Sequence, residues 1–574
     1  MVISDERQDM SKEEAQGILR FGTEGNMAIY CNQTGYLPGR RKTAVMTTGE
    51  HFRVIREGQT VLEGTARDMG VDKASGDHVH IADFSEITQD GVYYLQNEVG
   101  EQSHPFRIGQ DVYRALQRDM TKALYYQRCG CALEEKHAGQ YTHPCCHTDD
   151  AVLWTDRSVV KEVKGGWHDA GDFGRYISPA AVAVAHLLYA YQLFPESFQE
   201  SLNIPESGNG VPDVLNECRY ELEWMLKMQD DEGGAYHKLT AERHADFIMP
   251  EEDRDPFYLF PVSSMATADY AASMALASRV YRAYDESFAD RLYDAALKAW
   301  GWLERYPQYV GFKNPESCNT GQYDDDCDLD ERLWAAAEML VTTGEQKYQE
   351  SLTALLQEDL TKTDFGWTDV SGFAALAILT DVSHKADRDS VENLRRVVLA
   401  EADRLTAVGE KSGYGVAMEP EDYVWGSNMV VLNRGMLLVL AALAAGQDTG
   451  TANSSDQESR ERIGAYEETA LAQLHYLLGR NAVDYSYVTG HGEHAYMHPH
   501  NRPTECDGIE LPMAGWVSGG PFKTPADPVG IERIKPGTPP MKCYVDHASC
   551  YSLNEITIYW NSPAVFVTAY FNRQ

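Results

Sequence analysis

The spacing of apolar and polar residues divides the chain into two textures. From Met27 to Ile108 the apolar residues come in short runs: Met27-Ala-Ile-Tyr, Lys42-Thr-Ala-Val-Met-Thr, Phe52-Arg-Val-Ile, Val61-Leu-Glu-Gly, His78-Val-His-Ile and Val92-Tyr-Tyr-Leu. Turn residues separate them at roughly the 8 to 12 residue spacing of a small antiparallel sandwich. The pattern predicts an immunoglobulin-like β-sandwich over 26–108, preceded by a polar tail, 1–25, with one short helical piece from Lys12 to Leu19. After Asp111 the period becomes helical. Twelve amphipathic segments begin near 111, 178, 212, 263, 286, 330, 345, 371, 388, 427, 461 and 552, with apolar residues at i, i+3, i+4 and i+7. Pro212 suits the first turn of its helix, where its missing N–H costs nothing. An even dozen suggests six hairpins closed into a barrel, so the expected class is mainly α, with 109–574 as one helical domain. Long loops at 305–329 and 482–550 are candidate functional segments, and Gly446 to Arg460 reads as a surface excursion.

Composition narrows the function classes. With 43% apolar and 10% aromatic residues in 574, the chain can bury a large core. Its 50 basic against 88 acidic residues give a net charge of −38, which repels phosphate backbones and anionic lipid alike. Nucleic acid and membrane are therefore not expected partners, and a monomer is expected. The N-terminus has neither a basic start nor an apolar core of a signal, and no run of about eighteen apolar residues stands out. The expected location is extracellular if an export signal has been removed from the chain, and cytoplasmic otherwise. Four of the eleven cysteines, Cys129, Cys131, Cys145 and Cys146, crowd one segment. That favours a local metal site over a disulfide framework.

The densest chemistry lies in Gly165-Gly-Trp-His-Asp-Ala-Gly-Asp-Phe-Gly-Arg-Tyr176. Asp169 and Asp172 stand three apart in a segment with four glycines, where the backbone turns tightly or approaches something closely. Such a loop can be a plain turn or a calcium loop; it can also hold an ionised carboxylate that activates water. Two later stretches change the weighting. One runs from Leu477-Leu-Gly-Arg-Asn-Ala-Val-Asp through Thr489-Gly-His-Gly to His498-Pro-His-Asn-Arg502. The other is Tyr544-Val-Asp-His-Ala-Ser-Cys-Tyr-Ser-Leu-Asn-Glu-Ile-Thr-Ile-Tyr-Trp-Asn-Ser562.

Together the three stretches resemble the family 9 glycoside hydrolases, inverting β-1,4-glucanases. Tyr544, Asp546, Tyr551, Glu555, Thr557, Asn561 and Ser562 fall at the spacing of that family's last signature. The resemblance runs from about Met27 to the C-terminus and implies an immunoglobulin-like module ahead of an (α/α)6 barrel. It implies Asp172 as the base, Asp169 as its partner in positioning water, and Glu555 as the acid. His500 and Arg502 match a sugar-binding pair, and Trp425 and Tyr551 are the implied stacking platforms, each of which could instead be core. Inversion requires an ionised and a protonated carboxyl roughly 6.5 to 9.5 Å apart. The apolar neighbours of Glu555 favour a retained proton, and the glycine-rich loop favours charge on the aspartates.

The resemblance also places two metals. Cys129, Cys146, His147 and His168 match the family's structural zinc site, a Cys2His2 set with no open position, with Cys131 and Cys145 as rival ligands. The acidic run Asp324-Asp-Asp-Cys-Asp-Leu-Asp330 follows Thr320-Gly-Gln-Tyr323, as in calcium-binding relatives, and makes Asp325, Asp326 and Asp328 the candidate ligands; a solvated acidic turn is the alternative. The expected activity is endo-β-1,4-glucanase, a cellulase acting on β-1,4-glucan or cello-oligosaccharides. The alternatives are an exo-acting cytoplasmic β-glucosidase or β-glucosaminidase and a non-catalytic glycan-binding protein. Two departures stand out: Asn481-Ala482 replaces the family's asparagine-proline, and His500-Asn501-Arg502 its His-His-Arg.

Overall fold

A computed structural model describes residues 28–447 and 457–573. The tail with its helical piece, Met27, and most of the expected excursion after Gly446 lie outside those residues. Residues 457–460, expected in that excursion, instead open a helix.

The first 80 described residues form two facing sheets. Strands β1 (Ile29–Tyr30), β3 (Thr43–Met46), β7 (His78–Asp83) and β6 (Arg67–Val71) make one, in the order β1-β3-β7-β6. Strands β2 (Gly35–Tyr36), β9 (Phe106–Ile108), β8 (Gly91–Asn97), β4 (His51–Arg56) and β5 (Gln59–Thr65) make the other, in the order β2-β9-β8-β4-β5. The alternation along β4, with Phe52 and Val54 inside and His51 and Arg53 outside, shows how the period of two creates the core. Phe52, Val54, Tyr93, Leu95 and Phe106 meet Ile29, Ala44, Met46 and Ala82 from the other sheet. The six expected strands are present. β2, β6 and β9 were not legible: β2 and β9 are two and three residues long, and β6 buries none of its residues.

Twelve helices of ten residues or more follow among the described residues. They are α1 (Arg114–Ala123), α2 (Ile177–Leu193), α3 (Asp213–Lys227), α4 (Ser264–Tyr281), α5 (Glu286–Arg305), α6 (Leu329–Thr343), α7 (Gln346–Leu355), α8 (Ser371–Thr380), α9 (Arg388–Lys411), α10 (Ser427–Gln447), α11 (Gln457–Leu477) and α12 (Ile558–Asn572). Pro212 caps α3 from just outside its first turn. The even-numbered helices touch in a closed cycle, α2-α4-α6-α8-α10-α12 and back to α2. Each odd-numbered helix packs outside that cycle, α3 on α2, α5 on α4, α7 on α6, α9 on α8 and α10, α11 on α10, and α1 on α12.

Sequence dictates which helix goes where. α2, with Ile177 to Ala190 all buried, and α12, buried along its whole length, are apolar all round and must lie inside. α9 buries one stripe, Leu394, Val398, Ala402, Leu405 and Gly409, and turns its charges outward. The helices are thus not uniformly amphipathic, as expected from their period, but alternate between two classes. α10 carries the residues Ser427–Gly446, long and apolar enough to cross a membrane by length and composition, and 72% buried within the protein. No such run was expected; its burial among α8, α9, α11 and α12 gives that apolar surface its partner.

A small sheet, also unexpected, lies among the helices: β11 (Val160–Lys161), β10 (Ala151–Leu153), β14 (Tyr258–Leu259), β13 (Lys238–Thr240) and β12 (Arg175–Tyr176), in that order. It pairs Arg175 with Leu239 and Tyr176 with Lys238, so the end of the double-aspartate loop is a strand of this sheet. The 241–257 loop between β13 and β14 is delivered beside it.

Candidate active site

The loop from Gly165 to Gly174 is fixed from below by two glutamates of α3. Trp167 donates its Nε1–H to Glu217 (2.8 Å) and its backbone N–H to Glu221, and Arg128 holds Glu217 at 2.8 Å. Gly166 has φ 78°, and a Cβ there would lie 2.7 Å from Trp224, so only glycine serves. Gly171 answers a different need: a Cβ would stand 2.0 Å from the His500 carbonyl oxygen. That close approach lets Arg502 donate its Nη1–H to Gly171 O at 2.6 Å.

Asp169 and Asp172 are 2% and 7% exposed. Burial pushes the Asp172 carboxyl up, but His244, with Nδ1 3.2 Å from Oδ2, the Arg502 charge, and the Gly174 N–H at 3.1 Å together hold it well below the usual carboxylate range. Asp169 is held well above that range, first by burial and then by Asp172, although Tyr323 donates its hydroxyl to Oδ2 at 2.5 Å. Its Oδ1 is buried without a partner. The Asp169 carbonyl accepts from the N–H of Ile558 at 2.9 Å, joining the loop to the first residue of α12.

Glu555 lies just before α12, which begins at Ile558, and not at the start of that helix as expected. A single helical turn, Tyr551–Asn554, ends at Glu555 with extended backbone, and Thr557 then caps α12 by accepting from Trp560 N–H. Glu555 is half-buried. Its carboxyl is pushed well above the usual range by burial and then by Asp172 and Asp169, against the opposing pull of Arg502 and the Gly171 N–H. The two carboxyls therefore sit in one electrostatic neighbourhood with opposite displacements.

His500 lies against Glu555 along a short parallel bridge, its N–H donating to Asn554 O at 2.8 Å. Its Nδ1 is 2.6 Å from Ala548 O, which fixes the proton on Nδ1 and leaves Nε2 as an acceptor. Burial pushes its pKa down to about 4, so the ring is neutral in use. Arg502 spends Nε on Ala245 O (2.9 Å) as well as Nη1 on Gly171. Trp425, 42% exposed, lies 5.5 Å from the Tyr551 ring; Tyr551 is 5.9 Å from His500, and His500 is 5.3 Å from the exposed Phe247. Trp425, Tyr551, His500 and Phe247 thus form a continuous strip of rings.

Four members of this site escaped the sequence. His244, Ala245 and Phe247 belong to the 241–257 loop, which has no motif. Tyr323 was visible only as part of a Thr-Gly-x-Tyr loop assigned to calcium. Its position is secured by Lys238, whose Nζ donates to Asn314 (2.6 Å), Thr320 (2.9 Å) and Gly321 O (2.8 Å) in the turn just before it.

Cys129, Cys146, His147 and His168 bring their ligand atoms within 4.8 Å of one another. Cys131 packs beside Tyr125 and Leu133, and Cys145 is exposed, which removes both rivals. Asp253 Oδ2 lies 3.3 Å from His147 Nε2, an outer carboxylate that orients the ring. The acidic loop differs from expectation. Asp325 gathers with Asp330 and Glu331, whereas Asp326 is exposed and Asp328 lies 2.9 Å from Arg332 Nε. Asp326 and Asp328 are thus not part of the cluster: the first turn of α6 points Asp330 and Glu331 inward, a consequence of helical phase that a run of acidic letters does not display.

Residues 113–568 match the family described as Glycosyl hydrolase family 9, and residues 24–101 match the Cellulase N-terminal ig-like domain. A cellodextrinase of Butyrivibrio fibrisolvens is 40% identical over 559 residues, covering 94% of this chain and 98% of its own length. The structure of AaCel9A in complex with cellobiose-like isofagomine superposes with TM-score 0.87 at 34% identity, covering 95% of this chain and all of the other. A Zn-binding triple mutant of the family 9 endoglucanase J30 superposes with TM-score 0.85 at 34% identity, covering 93% and 99%.

Proposed function

Because the chain belongs to glycosyl hydrolase family 9, we propose that it is an endo-β-1,4-glucanase that cleaves by inversion, with Asp172 as base and Glu555 as acid. The assignment rests on one observation: two neighbouring carboxyls are displaced in opposite directions, Asp172 towards the anion and Glu555 towards the acid. Asp172 in its ionised form accepts a proton from water as that water attacks the anomeric carbon. Asp169, bonded to Tyr323, shares the positioning of that water. Glu555 gives its proton to the departing glycosidic oxygen, which leaves as the hydroxyl of a new non-reducing end, while the sugar attacked by water becomes the new reducing end with inverted configuration. The closed cycle of even-numbered helices, each backed by an odd-numbered one, supports reading the helical domain as an (α/α)6 barrel.

A preference for cello-oligosaccharides over long polymer is favoured by the 40% identity to a protein named a cellodextrinase. A time course on carboxymethylcellulose and cellohexaose tests both readings. A rapid fall in viscosity with few new reducing ends, and α-anomers first, is the expected outcome for an inverting endoglucanase. Fast cellohexaose cleavage with little viscosity loss selects the oligosaccharide preference, and β-anomers first would overturn inversion.

The donor set Cys129, Cys146, His147 and His168, with Asp253 behind His147, fits Zn2+ held by four protein ligands, which leaves no position for a reacting water. Bound there, zinc would supply cross-linking and not chemistry, fixing His168 and so the start of the loop that carries Asp169. Asp325, Asp330 and Glu331 fit a hard cation such as Ca2+: both carboxylate oxygens of Glu331 are buried without a partner, and those of Asp269 on α4 beside it are too. Such an ion would tie α6 to the loop ahead of it at Asp325, two residues from Tyr323.

A further inference from the structure

A cleft of about 770 Å³ lies between the β-sandwich and the helical domain, and no residue of the active site lines it. Its walls come from β3, β6 and β7 on one side and from α9 and α11, with the turns that follow them, on the other. In a chain of net charge −38 this cleft gathers Arg41, Arg67, Lys411 and Arg480 against Glu410, Glu461 and Glu468. Glu410 and Glu461 are exposed. Burial pushes the Glu468 carboxyl up, which weakens its negative charge in the cleft.

The two most buried polar groups of the wall are donors without acceptors. Arg480 is 4% exposed and His475 2%. Arg480 donates Nη1–H to Thr43 Oγ1 at 2.5 Å and Nη2–H to Ala472 O at a long 3.4 Å, while its Nε is buried without a partner. No carboxylate pairs with it among the described residues, and burial pushes its pKa down to about 10, so it stays charged near neutrality. For His475 the tautomer follows from Asn32. That side chain's Oδ1 accepts the N–H groups of Thr34 and Gly35 at 2.9 and 3.0 Å, which turns its Nδ2–H towards His475 Nδ1 at 2.9 Å. The ring proton is therefore on Nε2, which is buried and finds no acceptor in hydrogen-bond geometry, the nearby Arg41 carbonyl included. The Thr406 hydroxyl on α9 is unpartnered as well. A buried charge without a counter-ion and a buried N–H without an acceptor are both costly. One negatively charged acceptor would satisfy the two together, and the guanidinium fork matches phosphate and carboxylate alike.

We infer that this cleft binds a small molecule carrying an oxyanion, a phosphate or a carboxylate on a body of sugar size, received by Arg480 and His475 at the buried end and drawn in past Arg41, Arg67 and Lys411. The volume is in the range of small-molecule sites and well beyond that of a bare oxyanion. Arg41 and Thr43 belong to the sandwich and Arg480 to the helical domain, so an occupant bridges the two and stabilises their docked arrangement by mass action.

The test measures binding to the full-length protein by calorimetry, with glucose 6-phosphate and glucuronate as probes and chloride at matched ionic strength as the control. The expected result is one saturable site for at least one probe, with a rise in Tm on occupancy; the tighter probe identifies which oxyanion is recognised. Gly464 stands on α11 in the cleft wall, and a Cβ there meets no atom within 4 Å. Gly464→Phe therefore keeps the fold and fills the cleft, and it should weaken binding about tenfold or more while leaving hydrolysis of cello-oligosaccharides unchanged. Arg480→Gln should abolish binding. No saturable binding of either probe above the chloride control, or an unchanged Kd in Gly464→Phe, overturns the inference.

Discussion

Asp172 and Glu555 carry the same functional group within one site, and the more enclosed of the two is the one held ionised. Asp172 is 7% exposed and Glu555 is half-buried, so exposure alone orders them the wrong way. What separates them is the company each keeps. Asp172 has an imidazole at 3.2 Å, the Arg502 charge and a backbone N–H; Glu555 has two neighbouring carboxyls opposed only by Arg502 and one N–H. Burial pushes both carboxyls up, and it is their partners that separate the proposed base from the proposed acid.

The largest effect comes from removing the anion. Asp172→Asn should lower kcat/KM by about 10³–10⁴-fold on cello-oligosaccharides and activated aryl cellobiosides alike, with an unchanged circular dichroism spectrum. Glu555→Gln should separate the two substrates. We expect a loss of about 10²–10³-fold on cellotetraose and of roughly tenfold or less on an aryl glycoside whose leaving group needs little protonation. Equal losses on both would place the acid elsewhere. His244→Asn removes the imidazole that faces Asp172. The depressed carboxyl then rises, so the acid limb of the pH–rate profile moves to higher pH while activity near neutrality changes little; an unmoved limb would show that Arg502 and the Gly174 N–H suffice. The smallest effect belongs to the stacking strip, where Trp425→Ala should raise KM for cellotetraose about three- to tenfold and leave kcat nearly unchanged.

The sequence made one half of this contrast more legible than the other. Asp169, Asp172 and Glu555 stand in signatures, and glycines such as Gly171 mark a backbone approach that a Cβ would forbid. His244 and Phe247 were illegible, because a 17-residue loop between two short strands has no period and places its residues only through the pairing of β13 with β12 and β14. The same limit hid the inner and outer helix classes, since a period of 3.6 reports a helix whether one face or all faces are covered. The candidate metal ligands divided along the same line. Cys129, Cys146, His147 and His168 are chemically distinctive, whereas choosing Asp325, Asp330 and Glu331 from an acidic run needed the phase of α6.

The opposed ionisations are tested most directly by the pH dependence of kcat/KM on an activated aryl cellobioside, in the parent and in Glu555→Gln. Asp172 acts as the anion, so activity falls as pH drops through its depressed pKa; Glu555 acts as the acid, so activity falls as pH rises through its raised pKa. The account predicts that Glu555→Gln keeps the acid limb and loses the basic one. A basic limb that persists unchanged in the variant would contradict it.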